Sequence, residues 1–162
     1  MTKNVNLEAK IIIAEFQSKL DSMLAYLAVV AEDQIHVKML GWSFCSMVQC
    51  DMEDKPIHYT INEMGLWGDA FRERKVIIVN DYETCNRPSK HGYPKGHVKV
   101  KRHMNGPVIK DEKVIAIIGV GNKIAEYNQR DIEIFNELVQ KYTDKILELQ
   151  ILAFSEDIAY KR

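Results

Sequence analysis

The sequence predicts an α+β fold in which an antiparallel sheet carries helices from both ends of the chain. Apolar residues recur at helical spacing near both ends, and short apolar or alternating runs separated by turn residues lie between them. The chain has 162 residues, of which 46% are hydrophobic and 28% are charged. These values are ordinary for one globular domain, so we expect a single domain over residues 1–162.

Each element follows from its own residue pattern. The N-terminal helix is predicted over residues 7–20, because Leu7, Ile11 and Leu20 recur at near-helical spacing without an intervening Gly or Pro. Residues 22–125 are assigned to the sheet and to the segments that cover it. The elements predicted there are strands at 23–31 and 35–40, a short helix at 46–52, a strand at 57–61, a helix at 63–74, a strand at 76–79, a long loop at 83–96, and strands at 103–109 and 114–121.

The last of these strands is expected at the centre of the sheet. Residues 114–121 read VIAIIGVG, and a run that is apolar throughout is typical of a strand buried on both faces. Asn128 follows shortly and is expected to cap a long final helix over residues 129–154.

The final helix carries a stripe of apolar residues at alternating spacings of three and four. This stripe either packs on the chain's own sheet or pairs with a second copy of the chain. Further apolar residues, such as Ile134, Leu138 and Ile151, favour two packing partners, so we expect a homodimer through the terminal helices. The stripe consists of Ile132, Phe135, Val139, Tyr142, Ile146 and Leu149.

The charges are unevenly distributed. The formal net charge is only −1 and no basic stripe is interleaved with aromatic residues, which argues against nucleic acid as a partner. No apolar run approaches the roughly 20 residues that span a bilayer, so we expect no membrane association and a cytoplasmic location. Residues 84–110, however, contain seven Lys or Arg residues and no acid. This segment predicts a small ligand that carries negative charge or strong acceptors.

Five motifs occur in a recognisable order. They are residues 65–70 (GLWGDA), 76–82 (VIIVNDY), 92–97 (GYPKGH), 102–108 (RHMNGPV) and 119–123 (GVGNK), and residues 41–43 and 127–131 fit the same pattern. Together they resemble a GAF domain, and most closely the sensory GAF modules of methanogen and anaerobe two-component proteins. The resemblance covers roughly residues 22–150.

The resemblance implies a central antiparallel sheet with the terminal helices on one face. It also implies that loops and short helices enclose a small-molecule pocket on the other face. GAF domains bind cyclic nucleotides, tetrapyrroles, haem, small anions or metabolites, so the fold alone does not identify the ligand. The candidate ligand-binding residues are Trp42, Trp67, Asp81, Tyr82, Tyr93, His97, Arg102, His103 and Asn122.

Several of these residues have a structural alternative. Arg102 either clamps an anion or ties down the long loop through backbone carbonyls or Asp81. Haem is one candidate ligand, with His97 or His103 as its axial ligand. The three histidines at positions 91, 97 and 103 do not converge in any metal-binding motif, so no metal site is expected.

The cysteines bear on an enzymatic alternative. One GAF branch reduces free methionine sulfoxide with a reactive cysteine and a resolving partner. Where that branch has its cysteines, this sequence has residues 68–70 (GDA) and 97–99 (HVK), and no other catalytic motif appears. Cys45, Cys50 and Cys85 occupy other positions.

We therefore expect a non-enzymatic sensory domain without catalytic residues. It binds a small, anionic or acceptor-rich molecule and transmits the ligand state through its terminal helices to a signalling partner protein. The alternative is a cysteine-based redox enzyme, or a redox or haem sensor, on the same fold.

Overall fold

The structure, a computed structural model, describes residues 2–43, 58–91 and 99–155 and has the predicted α+β fold. Its helices are α1 (Thr2–Lys19), a 3₁₀ helix (Ile61–Gly68), α2 (Asp69–Glu73) and α3 (Gln129–Ser155). Its strands are β1 (Leu24–Val30), β2 (His36–Trp42), β3 (His58–Thr60), β4 (Ile77–Val79), β5 (His103–Lys110) and β6 (Lys113–Gly121). The short helix predicted at 46–52 lies outside the described residues.

The strands form one six-stranded antiparallel sheet in the order β3-β2-β1-β6-β5-β4. The two central strands are β1 and β6, as predicted for β6. Every residue of β1 and all but the first of β6 are buried. Because successive side chains of a strand point to opposite faces, these two strands contribute to a core on each side of the sheet.

One face of the sheet, called here the helical face, is covered by α1 and α3. Phe16 of α1 and Phe135 of α3 meet edge to face with ring centroids 5.3 Å apart. Ion pairs join the exposed sides of the two helices, with 2.9 Å between Lys141 Nζ and Glu15 Oε1. The core beneath them includes Ile12, Phe16, Leu27, Met104, Ile118, Phe135, Ile146 and Leu149.

The apolar stripe of α3 belongs to this core. Phe135, Ile146 and Leu149 are fully buried, and the other three stripe residues pack against the same cluster. The wide apolar surface of α3 therefore has two packing partners within the chain, because the sheet covers one part of it and α1 covers another. The stripe itself does not require a second copy of the chain.

The opposite face, called here the loop face, is covered by the 3₁₀ helix and α2. The sequence predicts a single helix over residues 63–74, and this prediction is wrong in its continuity. Gly65 has φ of +61° and ψ of −135°, which places a kink inside the 3₁₀ helix, and the short α2 follows that helix at Asp69. Only glycine adopts such a conformation at no steric cost, so the kink depends on the glycine at position 65.

The cap of α3 is the one predicted. Asn128 Oδ1 accepts the backbone N–H of Asp131 at 3.2 Å, and Asp131 Oδ2 accepts the backbone N–H of Asn128 at 2.9 Å. This reciprocal arrangement satisfies donors at the start of the helix. Within the described residues, no helix is long and apolar enough to cross a membrane.

Phe135 packs α3 directly on β5. A Cβ placed on Gly106 of β5 would lie 2.3 Å from Phe135 Cε1, so the ring packs directly on the strand backbone. We expect Phe135→Ala to lower the free energy of unfolding by about 3–5 kcal/mol. Urea denaturation measures this loss, and Ile124→Ala, at a position that is 93% exposed and outside the helices, should change it by less than about 0.5 kcal/mol. Equal effects of the two variants would contradict the packing described here.

Candidate functional site

A buried hydrogen bond crosses the middle of the loop face. Tyr26 of β1 and Asn105 of β5 both pair with Gly119 of β6, which lies between them. The Tyr26 hydroxyl donates to Asn105 Oδ1 at 2.8 Å. A Cβ on Gly119 would lie 2.1 Å from that oxygen and 2.2 Å from Tyr26 Cε1. The two side chains can therefore meet only because residue 119 has no side chain of its own.

His103 lies beside this hydrogen-bonded pair on β5, and Tyr26, Asn105 and His103 together are called here the polar line. It lies two residues before Asn105 and so shares its face, with 2.6 Å between His103 Nδ1 and Asn105 Nδ2. The imidazole is only 3% exposed, and its Nε2 has no hydrogen-bond partner among the described residues. Burial, assisted by the nearby Arg87 guanidinium, lowers the pKa of His103 to about 4, so the ring is neutral at physiological pH.

Aromatic side chains surround this line. Trp67, in the 3₁₀ helix, stacks on Tyr26 with ring centroids 5.3 Å apart, and Trp42 packs against the same apolar cluster. The Tyr82 ring lies 6.2 Å from His103, and Lys90 Nζ lies 4.8 Å from the centre of that ring. Apolar walls beside a few buried polar groups are the usual composition of a small-molecule site.

A cluster of ion pairs holds the loop that carries Tyr82 against α2. Asp69 accepts hydrogen bonds from Arg72 at 2.8 Å, from Ser89 at 2.8 Å and from Arg87 at 3.1 Å. Burial alone would raise the pKa of Asp69, but these three donors outweigh it and hold the pKa below its ordinary value. Arg87 also bonds Glu73 at 2.6 Å, so residues 87–89 are fixed to α2 from two sides.

The structure brings together four of the nine residues predicted from the sequence for the ligand site. Trp42, Trp67, Tyr82 and His103 belong to the loop face or its cover. Asp81 is exposed, and its Oδ1 accepts the backbone N–H of Glu83 at 3.1 Å. Tyr93 and His97 lie outside the described residues, as do Cys45 and Cys50.

Arg102 and Asn122 hold backbone segments together. Arg102 donates to the carbonyls of Lys123 at 2.7 Å and Ile124 at 2.9 Å. The Asn122 side chain accepts the N–H of Lys101 at 2.7 Å and donates to the carbonyl of Lys99 at 2.9 Å. Both side chains thus join the segment that enters β5 to the segment that leaves β6. For Arg102 this is the tethering role through carbonyls, although the tethered segment follows β6 rather than lying in the predicted long loop.

Sequence reasoning missed Tyr26, Asn105 and Asp69. Asn105 is a polar residue at an inward position of a strand, and that pattern alone marks it as unusual. Tyr26 is hidden in the apolar run of β1, where nothing in the local sequence separates it from a core residue. Asp69 needs its partners Arg87 and Ser89, about 20 positions away, before its role can be recognised.

Comparison with known proteins identifies the family of the chain. The profile of the GAF domain family matches residues 9–146. The chain belongs to the GAF domain family. This GAF domain is 44% identical over 119 residues to the methyl sulfide methyltransferase-associated sensor of Methanosarcina acetivorans. The match covers 74% of this chain but only 12% of that protein.

Solved structures share the fold at low sequence identity. The GAF domain of a phosphoenolpyruvate-protein phosphotransferase from Coxiella burnetii is similar with a TM-score of 0.73 at 12% identity, over 92% of this chain and 86% of that one. Free methionine-R-sulfoxide reductase from Neisseria meningitidis is similar with a TM-score of 0.66 at 13% identity, over 92% of this chain and 81% of that one. The fold thus occurs both as one domain of a phosphotransferase and as a methionine sulfoxide reductase, so the fold alone does not identify a function.

The polar groups of the site are the His103 imidazole, the Asn105 amide and the Tyr26 hydroxyl. Across the described ranges, no group of three or more His, Cys, Asp or Glu side chains is placed to hold a metal ion. The imidazole, the amide and the hydroxyl supply hydrogen bonding from neutral side chains, and aromatic rings pack beside them.

We expect Gly119→Ala to destabilise the domain by about 1–3 kcal/mol or more, because its methyl group would overlap both Tyr26 and Asn105. Gly121→Ala, two residues later on the same face, is the matched control. Its Cβ would find its nearest neighbours at 3.4 Å, which is ordinary contact, so its effect should stay within about 0.5 kcal/mol. Urea denaturation of both variants measures the difference, and a neutral Gly119→Ala would contradict the close approach.

The buried imidazole also predicts how stability depends on pH. The pKa of His103 falls from its ordinary value of 6.5 to about 4 on folding, so its contribution is fully present above pH 6.5 and is lost as the pH falls toward 4. From pH 7 to pH 5 this residue alone should cost about 2 kcal/mol. We expect His103→Gln to show a correspondingly flatter stability profile between these pH values, and identical profiles would contradict the prediction.

Proposed function

We propose that this GAF domain is a sensory module that binds a small molecule on the loop face and transmits its presence to α1 and α3. The observation that carries the proposal is the buried His103 imidazole, whose Nε2 has no partner among the described residues although aromatic walls surround it. Buried polar groups are normally hydrogen-bonded, so an orphan of this kind marks a place for a ligand. The name of the Methanosarcina acetivorans relative supports a sensory role.

The route of transmission follows from strand alternation. Met104 lies between His103 and Asn105 on β5, yet its side chain is fully buried in the core of the helical face. In the same way, Ala25 and Leu27 flank Tyr26 on β1 and face the helices. Because protein interiors are close-packed, a ligand that displaces Tyr26 or His103 also shifts residues that contact α1 and α3.

Direct bonds tie α3 to the sheet as well. Gln150 donates to the carbonyl of Val30 at 3.0 Å, and Lys38 donates to the carbonyl of Ala153 at 2.9 Å. The last two turns of α3 are thus bonded to β1 and β2. A change in the position of these strands reaches the end of α3, where a signalling partner protein would respond to it.

Native mass spectrometry of the freshly purified protein, followed by a thermal-shift screen of anionic, neutral and cationic metabolites, tests this proposal. A ligand at 100 times its Kd stabilises the fold by about 2.7 kcal/mol, which corresponds to a rise in Tm of several degrees. Methyl NMR signals of Ile146 and Leu149 should shift with the same ligand. A screen without any stabilising compound and without a retained mass would contradict the proposal.

The cysteine-based alternative has its own test. Cys85 is half-buried and packs against the apolar cluster of the loop face, which makes it the cysteine to test among the described residues. Turnover of free methionine sulfoxide by the wild type, abolished in Cys85→Ser, would replace the sensory proposal with an enzymatic one. We expect no turnover above that of the Cys85→Ser control.

We also propose that the domain forms a homodimer through its terminal helices. Leu7 and Ile11 lie one turn apart on the outer side of α1 and are 59% and 60% exposed, and Ile151 of α3 is 57% exposed. We expect Leu7→Glu and Ile11→Glu to dissociate the dimer, because each would place an unpaired carboxylate in the interface. Ile124→Glu, at an exposed position outside the helices, is the control. Sedimentation equilibrium at tens of micromolar measures the state, and a monomeric wild type would contradict the dimer.

A further inference from the structure

The hydrogen bonds that link Tyr26, Asn105 and His103 can be assigned a donor and an acceptor, beginning with the Tyr26 hydroxyl. Burial raises the pKa of Tyr26 far above its ordinary value, so the hydroxyl keeps its proton. Its hydrogen-bond partner is Asn105, at 2.8 Å. A buried hydroxyl that keeps its proton has to donate it, so the amide of Asn105 presents its oxygen to Tyr26.

This orientation of the Asn105 amide determines which of its groups faces His103 Nδ1. With Oδ1 facing Tyr26, the NH₂ group faces His103 Nδ1 across 2.6 Å and donates to it. An amide NH₂ has no lone pair to offer, so Nδ1 must be the unprotonated nitrogen. The imidazole is neutral, and its single ring proton therefore lies on Nε2. The network thus assigns the tautomer of His103.

We propose that the Nε2–H of His103 is the group that selects the ligand, and that the bound molecule presents a hydrogen-bond-accepting oxygen to it. This inference deepens the proposed function and rests on it in one respect, that the loop face binds a ligand. His103 is only 3% exposed, and its Nε2–H has no acceptor among the described residues. An incoming acceptor oxygen would satisfy it, whereas an apolar or purely donating group would leave it unpaired.

The nearby charges do not change this selection. Arg87 and Asp69 both act on His103, but they are bonded to each other at 3.1 Å, and Arg87 also bonds Glu73. Arg102 donates through Nη1 to the carbonyls of residues 123 and 124, whereas its Nε has no hydrogen-bond partner among the described residues. The His103 donor is neutral, so an uncharged molecule can supply its acceptor oxygen as readily as an anion can.

The same tautomer bears on haem. An iron ligand must offer a lone pair, and His103 Nε2 carries a hydrogen instead. His103 therefore does not fit as an axial ligand while Tyr26 and Asn105 hold their present bond. The prediction of His103 as a candidate haem ligand conflicts with this network, whereas His97 lies outside the described residues.

NMR of the full chain labelled with ¹⁵N-histidine tests the tautomer directly. At pH 7 we expect His103 to show a protonated Nε2 and an unprotonated Nδ1. Tyr26→Phe keeps the ring that stacks on Trp67 but removes the hydroxyl, which frees the Asn105 amide to turn and should increase the share of the Nδ1–H tautomer. A wild type with its proton on Nδ1 would overturn the proposal.

The ligand class is tested with probes that differ by one oxygen. Dimethyl sulfoxide and dimethyl sulfide share a skeleton, but only the sulfoxide has a strong acceptor, and acetate provides a charged acceptor. We expect saturable shifts of the His103 Nε2–H signal with dimethyl sulfoxide or acetate and none with dimethyl sulfide, and about tenfold weaker binding in His103→Leu. Equal responses to sulfoxide and sulfide, no response to any probe, or a bound water that no probe displaces would each overturn the proposal.

The two proposals fail in different ways. Loss of the selective response at His103 would overturn the present inference, whatever happens at the helices. A selective response at His103 without any shift of the Ile146 and Leu149 methyl signals would leave the donor assignment intact and would contradict transmission to α3. One set of titrations therefore reads out both outcomes.

Discussion

The hydrogen bond between Tyr26 and Asn105 depends on the absence of a side chain at Gly119, and the polar chemistry of the loop face depends on that bond. It joins β1 to β5 across β6 by side chains, in addition to the backbone ladder. It gives both buried polar groups a partner at once, which is the condition under which buried polar networks are stable. Without it, Asn105 would be a buried amide on an apolar surface and His103 would lose its fixed tautomer.

The ion pairs around Asp69 have a separate and supporting role. They fix residues 87–89 to α2 and so set the position of the loop that begins at Tyr82. Gly65 contributes to the same arrangement, because a Cβ there would lie 3.2 Å from the carbonyl oxygen of Ser89. The cover of the loop face is thus held by charge pairing and close packing, while the sheet beneath it presents neutral donors.

The sequence predicted the architecture well because each element has a local signal. The apolar run of β6, the periodicity of α1 and the cap at Asn128 are all visible within a few residues. The site was harder to predict, because its residues come from strands that are 79 positions apart at Tyr26 and Asn105 and are brought together only by sheet register. Arg102 shows the converse limit, since its charge suggested an anion clamp, whereas its neighbours in space are the carbonyls of residues 123 and 124.

Two glycines on neighbouring strands make the sheet unusually thin at one point. Gly106 lets the Phe135 ring rest on β5 from the helical face, and Gly119 lets Tyr26 and Asn105 close over β6 from the loop face. Packed layers are normally kept about 10 Å apart by side chains, which can adjust their rotamers and absorb small displacements. Here little more than backbone separates the two sides. Few side chains therefore lie between the polar line and the long C-terminal helix that could absorb a displacement by changing rotamer.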